Sequence, residues 1–208
     1  MADNKGTATD LAPVKEASDA EAAAFRLDPH LISLMWDEPF FSKILRTVTK
    51  VKTDSIPTAG VLAKDGDVKM WWNPKFLAGL TSKQVKGLLK HECFHLIFQH
   101  TTTRKHDPHI VWNYATDLAI NSMIPEDELP EGGLIPGQGF KELTAEDKER
   151  MGEEAVRRYE LVSAKVASFP PKMAAEWYFA RLMEDKDVAD SIQNPNPDGQ
   201  PGEQGDGD

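Results

Sequence analysis

The feature that most constrains this fold is one predicted helix, residues 81–99, which is apolar on most faces yet carries two histidines and a glutamate. Thr81 and Gln84 form a capping box, in which each side chain pairs with a free backbone N–H of the first turn. The apolar residues are Val85, Leu88, Leu89, Phe94, Leu96, Ile97 and Phe98. Such a helix is typical of a central, buried element, where its polar side chains need partners.

His91, Glu92 and His95 form the motif HExxH inside this helix. Histidines four residues apart lie about 40° apart on one face, where both imidazoles can bind the same ion. Glu92 lies about 100° further round, where it can take a proton from a metal-bound water. Imidazole ligands are typical of catalytic zinc, so we predict Zn²⁺ bound by His91 and His95 with Glu92 as the catalytic base. The alternative is two ordinary histidines on a core helix.

A catalytic zinc ion needs a third protein ligand, and His100 is the nearest candidate in sequence. It follows His91 by nine residues, with no glycine between His95 and His100. On a continuous helix His100 would point about 180° away from His91. We therefore expect that His100 does not bind the metal.

Asp117 is the second candidate, on the next predicted helix, residues 107–123. A lone carboxylate in a buried helix is costly unless it is paired or binds a metal. Asn113 and Asn121 lie four residues before and after it, so the three form one polar stripe in which we expect the asparagines to hold the carboxylate. We predict that Asp117 is the third metal ligand. The alternative is that it orients one of the two histidines by accepting a hydrogen bond.

Other polar residues lie close to the predicted site in sequence. Any of His106, His109, Tyr114 or Arg104 could donate a hydrogen bond to a substrate oxyanion, although each is more typical of a surface or packing residue. On the predicted helix Cys93 points away from the two histidines. We therefore expect Cys93 to pack in the core as a small hydrophobic side chain.

Charge and composition exclude several classes of protein. The 208 residues include 24 Lys and Arg against 34 Asp and Glu, and the formal net charge of −10 argues against a nucleic-acid-binding protein. A membrane-spanning helix needs about 18 consecutive apolar residues, and the sequence has no run of that length. The N-terminus lacks the features of a secretory signal. The single cysteine excludes an internal disulfide. We expect a cytoplasmic protein whose partners include neither nucleic acid nor a membrane.

The chain divides into three parts by composition. Residues 1–24 are predicted to be a flexible arm with a nascent helix at its end. Residues 191–208 are predicted to be a disordered acidic tail rich in Pro and Gly. Residues 25–190 form the predicted folded domain.

Within this domain the helix signals outnumber the strand signals. Two β-prone runs, residues 56–63 and 68–72, are joined across Asp65-Gly66 and predict a hairpin, with 68–72 as an edge strand that could align an extended peptide. The predicted fold class is α+β, mostly helical, with a small sheet and the HExxH helix at its centre. The other predicted helices are residues 28–36, 40–49, 144–167 and 173–185.

The HExxH motif followed by WNxAxDxxIN at residues 112–121 resembles the predicted metallopeptidase domain that precedes a von Willebrand factor A-like domain in many bacterial and phage proteins. The resemblance extends upstream to residues 57–61 and 72–76 and downstream to residues 175–178. It covers about residues 39–184.

This resemblance implies a zincin-like metallopeptidase core over residues 25–190, with His91, His95 and Asp117 around zinc and Glu92 as the base. The chain departs from longer members by ending in an acidic tail. We therefore expect that any contribution of the A-like domain is absent or comes from a regulatory protein partner in trans.

The predicted function is a zinc-dependent metallohydrolase, a peptidase in which Glu92 activates a metal-bound water against a peptide or protein substrate. Two alternatives stay open: a non-catalytic, zinc-stabilised binding or assembly module, and a latent peptidase that needs a partner. Glu92 favours the enzyme, because a purely structural zinc site has no use for a carboxylate at that position.

Overall fold

The structure, a computed structural model, describes residues 17–194, and this part of the chain contains ten α-helices and a three-stranded sheet. The fold is α+β and mostly helical, as predicted. Within the same residues no helix combines the length and apolarity needed to cross a membrane. The elements are α1 (Asp19–Ala24), α2 (Asp28–Asp37), α3 (Pro39–Leu45), β1 (Thr49–Lys52), β2 (Ala59–Lys64), β3 (Asp67–Trp72), α4 (Pro74–Ala78), α5 (Ser82–Ile97), α6 (His109–Asn121), α7 (Ala145–Met151), α8 (Glu153–Ala167), α9 (Ala175–Met183) and α10 (Lys186–Gln193), with a 3-10 turn at Glu126–Glu128.

The sheet has the order β1-β3-β2, so β3 lies in the middle and β2 is an edge. β2 and β3 are antiparallel, and the turn between them has positive φ at Asp65 (53°) and Gly66 (85°), as in the type I′ turn that suits a hairpin. The predicted hairpin is confirmed. The prediction that residues 68–72 form an edge strand is wrong, because β1 pairs in parallel with the other side of β3. The sequence does not predict β1, which begins at the end of the predicted helix 40–49.

α5 begins as predicted, with the Thr81 hydroxyl accepting from the Gln84 N–H and the Gln84 side chain accepting from the Thr81 N–H. It ends at Ile97, earlier than the predicted limit at residue 99. Phe98 caps the helix, and Gln99 has a left-handed φ of 58°. The chain therefore turns sharply just after the helix.

The predicted helix 144–167 is two helices in the structure. Gly152 has a φ of 80°, a left-handed conformation that ends α7 before α8 begins. A glycine inside a helical pattern signals such a break, which the apolar spacing alone does not show.

Near the limits of the described residues, α1 lies where the nascent helix of the arm is predicted, and the C-terminal side contains more helix than predicted. The predicted helix 173–185 is the shorter α9, and Asp185 then caps α10 by accepting from the Val188 N–H at 3.3 Å. α10 reaches Gln193, past the predicted domain limit at residue 190. α1 lies at the end of the predicted arm. Residues 1–16 and 195–208, the remainder of the predicted arm and most of the predicted tail, lie outside the described residues.

Three apolar clusters fill the interior of the described residues. One packs α6 against α8, α9 and α10, with Trp112 and Tyr178 fully buried. A second packs the sheet against α2, α3 and α5, with Met70 and Leu89 buried. The third, which includes Ile120 of α6 and has Phe94 of α5 packed against it, holds these two helices against each other.

The loop that follows α6 runs along α5. A Cβ on Gly87 would overlap the carbonyl oxygen of Glu128 and lie 2.7 Å from its carbonyl carbon. Beside this contact, the buried Lys90 forms ion pairs with Glu128 and, at 2.8 Å, with Glu38. Glycine at position 87 is therefore required for the loop to lie this close to the helix.

We expect Gly87→Ala to destabilise the protein. In an open helix the change would stabilise by up to about 1 kcal/mol. Here the overlap with a backbone carbonyl should cost about 1–3 kcal/mol or more and outweigh that gain. Urea unfolding measures the net effect. The control is Gly66→Asn, because position 66 has open space and asparagine tolerates its left-handed φ. A midpoint for Gly87→Ala at or above the parent value would contradict the contact.

Candidate metal centre

Three side chains converge between α5 and α6. The Nε2 atoms of His91 and His95 are 2.9 Å apart. Oδ1 of Asp117 lies 3.4 Å from Nε2 of His91 and 3.3 Å from Nε2 of His95. Among residues 17–194, this is the group of three His, Cys, Asp or Glu residues whose ligand atoms all lie within 4.8 Å of one another. The structure thus brings together the three predicted ligands.

Helix geometry and core packing together place these atoms. The spacing of one helical turn on α5 sets the two imidazole centroids 4.7 Å apart. On α6, Trp112, Ala115 and Leu118 are fully buried in the helical cluster, which anchors that face of the helix away from α5. Asp117 and Asn121, on the other face, are thereby directed toward α5.

The electrostatics of the centre favour positive charge. Burial raises the pKa of Asp117, but hydrogen bonds to His91 and His95 and their charges outweigh it, so the pKa falls below the usual range. Burial lowers the pKa of His91, yet the contacts with Asp117, the charge of Glu92 and the bond to Asn121 raise it to about 9. A divalent metal ion supplies positive charge of this kind.

Glu92 follows His91 on α5 but lies outside the three-atom group. Its side chain is buried, and the backbone of Val61 on β2 donates a hydrogen bond to its carboxylate. Burial raises the pKa of Glu92, and the charges of His91 and His95 only partly offset this. A buried carboxylate with a raised pKa beside potential metal ligands suits a general base.

The position of His100 differs from the one predicted from the sequence. Because the chain turns at Gln99, its ring packs back on α5, 5.5 Å from the ring of His95 and 5.7 Å from that of Trp112 between centroids. The expectation that it points away on a continuous helix is wrong. It is buried, which lowers its pKa to about 3, and it is not part of the three-residue group. Its exclusion as a ligand stays a prediction.

The four residues considered as oxyanion donors have other contacts. Arg104 pairs with a glutamate of α9 at 2.9 Å, and His106 packs between two aromatic rings. His109 is hydrogen-bonded to an asparagine of α6, and Tyr114 packs against the helical cluster. Cys93 is fully buried, which confirms it as a small core hydrophobe.

Sequence reasoning missed the partner of Asn121. Its Oδ1 lies 2.8 Å from Nδ1 of His91, and its Nδ2 donates to the Leu134 carbonyl at 3.0 Å. Asn113 contacts His109 instead. The expectation that both asparagines hold Asp117 is therefore wrong. The polar stripe on α6 indicates a role for these residues. The contact of Asn113 with His109 is a local one within α6, whereas the contact of Asn121 with His91 depends on how α6 crosses α5.

Comparison with known proteins identifies a family whose model matches most of this chain. The family model described as "Putative metallopeptidase domain" matches residues 23–206. An "Uncharacterized protein" of Thermotoga maritima is 29% identical over 99 residues, which is 46% of this chain and 25% of that protein. The match therefore spans a quarter of the length of that relative. No solved structure is a significant match.

We expect Asp117→Ala to lose bound divalent metal under mild chelation. The change removes one of three converging ligand atoms, so it should cost more affinity than the about 10- to 100-fold typical of a residue that only orients a ligand. Elemental analysis after treatment with a graded chelator measures this. His100→Ala is the matched control and should keep its metal. Loss from His100→Ala with retention by Asp117→Ala would reverse the assignment, and retention by both would place the third ligand elsewhere.

Proposed function

We propose that this chain, which belongs to the family described as "Putative metallopeptidase domain", is a zinc-dependent peptidase with Glu92 as its general base. The family indicates a metal-dependent peptidase. The identity of the metal, its binding by His91, His95 and Asp117, and the role of Glu92 are the proposal. The observation that carries it is the spacing of the three ligand atoms.

Zinc fits that spacing. Ligands about 2.0–2.1 Å from a tetrahedral zinc ion lie about 3.3 Å from one another. The three separations here are 2.9, 3.4 and 3.3 Å. Three protein ligands with a fourth position open are typical of catalytic rather than structural zinc. When bound, zinc supplies a Lewis acid that polarises a carbonyl and lowers the pKa of water.

The contacts of Asp117 support a ligand rather than an orienting acceptor. A carboxylate that orients a ligating histidine accepts from the ring nitrogen opposite the metal. Oδ1 of Asp117 instead lies beside Nε2 of both histidines. Nδ1 of His91 is already bonded to Asn121. One oxygen close to both Nε2 atoms is the arrangement expected of a third ligand.

Glu92 is placed to move protons during hydrolysis. Its raised pKa brings its proton affinity nearer to neutral pH, where a general base is most effective. It takes a proton from the attacking water and later delivers that proton to the amine leaving group. The bond from the Val61 backbone holds the carboxylate on the side of α5 that faces β2.

β2 has a free edge in the described residues. The Asn73 N–H donates to the Thr58 carbonyl at 2.8 Å, which makes these two residues a hydrogen-bonded pair. Hydrogen-bonded and non-bonded pairs alternate along an antiparallel ladder. By the register of β2 with β3, the residues whose backbone groups point away from β3 are Ala59, Val61 and Ala63. The Val61 N–H is already bonded to Glu92, so a peptide would pair with Ala59 or Ala63.

This free edge runs beside the metal centre, because the Val61 backbone reaches Glu92 on α5. An extended peptide can add to such an edge through main-chain hydrogen bonds. We therefore propose that β2, in place of residues 68–72, aligns the substrate.

The non-catalytic alternative has less support. A zinc site that serves only stability needs no carboxylate beside its ligands, and burying Glu92 has a cost in free energy. The family description also points to a peptidase. Dependence on a protein partner in trans stays a prediction.

We expect Glu92→Gln to keep its metal and its fold but to cleave casein at least about 100-fold more slowly than the parent, the usual contribution of a general base. Initial rates and metal content are measured together. Glu149→Gln changes an exposed glutamate on α7 and is the control. Cleavage at the parent rate by Glu92→Gln would exclude Glu92 as the base. A parent that cleaves only after cell lysate is added would indicate a latent peptidase.

We expect Ala63→Pro to raise KM for a peptide substrate by up to about tenfold, the value of one main-chain hydrogen bond. Proline is tolerated where a strand N–H points away from the sheet, so the ladder to β3 should persist. Leu62→Pro is the contrasting variant, because residue 62 pairs with Lys69 and the change should lower stability instead. An unchanged KM for a well-folded Ala63→Pro would show that the substrate does not pair with this part of β2.

A further inference from the structure

Asn121 links a predicted metal ligand to the loop that follows α6. We propose that Asn121 is a positioning residue, which holds the His91 ring so that its Nε2, and not its Nδ1, binds the metal. We further propose that the Leu134 carbonyl determines which way the Asn121 amide faces. The inference rests on the metal site of the proposed function, but it concerns residues to which that function assigns no role.

The direction of the amide follows from its two contacts. A backbone carbonyl only accepts hydrogen bonds, so the group 3.0 Å from the Leu134 oxygen must be the Nδ2 donor. The Oδ1 acceptor then faces Nδ1 of His91 at 2.8 Å. An acceptor at that position requires Nδ1 to carry the proton. In a neutral imidazole this leaves Nε2 with the free lone pair that a metal needs.

Both contacts are shielded from water. Asn121 is 7% exposed, and Leu134, which supplies the carbonyl, is 2% exposed. Water therefore replaces neither bond readily when the amide is removed. A leucine at position 121 would leave the Nδ1–H of His91 and the Leu134 carbonyl without partners, and the ring would lose the contact that selects its tautomer.

The loop that carries Leu134 is itself held against α5, so the carbonyl is a fixed reference. The Gln84 side chain donates to the Leu129 carbonyl at 3.3 Å. The ion pair of Lys90 with Glu128 and the contact at Gly87 lie further along the helix. The loop is thus attached to α5 at several points before it reaches Leu134, whose carbonyl accepts from Asn121.

The test compares the affinity for zinc alone of the full-length parent and three variants, by competition with a chromophoric chelator. We expect Asn121→Leu to bind zinc about 10- to 100-fold more weakly, the usual effect of removing such a partner. Asn121→Asp should stay within about tenfold of the parent, because a carboxylate still accepts from His91. It should unfold at lower urea concentration, because the Leu134 carbonyl loses its donor. Asn113→Leu, on the same stripe but in contact with His109, is the control and should bind as the parent does.

Each result supports or overturns the inference. Parent-like affinity of Asn121→Leu would overturn it. Equal losses in the leucine and aspartate variants would also overturn it, because the amide would then act only through its contact with the loop. A parent that binds no zinc would refute the proposed function, and the positioning role with it.

A second measurement needs no variant and applies even if Asn121→Leu does not fold. Nitrogen-15 spectra of the zinc-loaded parent should show the proton of His91 on Nδ1 and the metal on Nε2. Zinc on Nδ1 of His91 would overturn the inference, while leaving the metal site of the proposed function in place.

Discussion

The structure depends on holding two imidazoles and a carboxylate together in a site largely closed to water. Their closest atoms are 2.9 to 3.4 Å apart, close to the separation expected of ligands around one zinc ion. The helix that carries the two histidines must therefore be fixed in position. Lys90 does so on one side through its ion pairs with Glu38 and Glu128, and the bond from Val61 to Glu92 does so on another. The apolar residues of α5 also hold the helix in place, by packing against the sheet in the second cluster.

The same centre lies at the junction of two cores. His91 and His95 belong to α5, which packs with the sheet, and Asp117 belongs to α6, which packs with α8, α9 and α10. A metal ion bound to all three would add to the apolar contact that Ile120 and Phe94 already make between α6 and α5. Because the ion would bind only the folded chain, it would stabilise the fold by mass action. The exposed ion pairs elsewhere on α5, such as Lys83 with Asp127, contribute little to stability by comparison. The packing of α6 against α5 thus brings the three ligand atoms together, and a bound metal ion would in turn stabilise that packing.

The patterns that predicted well are those whose cause lies within a few residues. The capping box at Thr81 and the turn at Asp65-Gly66 depend on neighbouring backbone groups, and both occur as predicted. The patterns that failed depend on distant partners or on one exceptional residue. β1 is four residues long and pairs in parallel with β3, a pairing that leaves no local signature. The break at Gly152 follows from one left-handed φ inside a continuous helical pattern.

The sequence by itself determined that His91 and His95 share one face of a buried helix with Glu92 beside them, because helical periodicity is a local property of the chain. Only the tertiary structure decided that Asn121 reaches His91 rather than Asp117 and that the edge strand beside Glu92 is β2. Those contacts join elements that are far apart in sequence. Their relative positions come from the packing of three apolar clusters, which residue spacing within a single helix or strand does not encode.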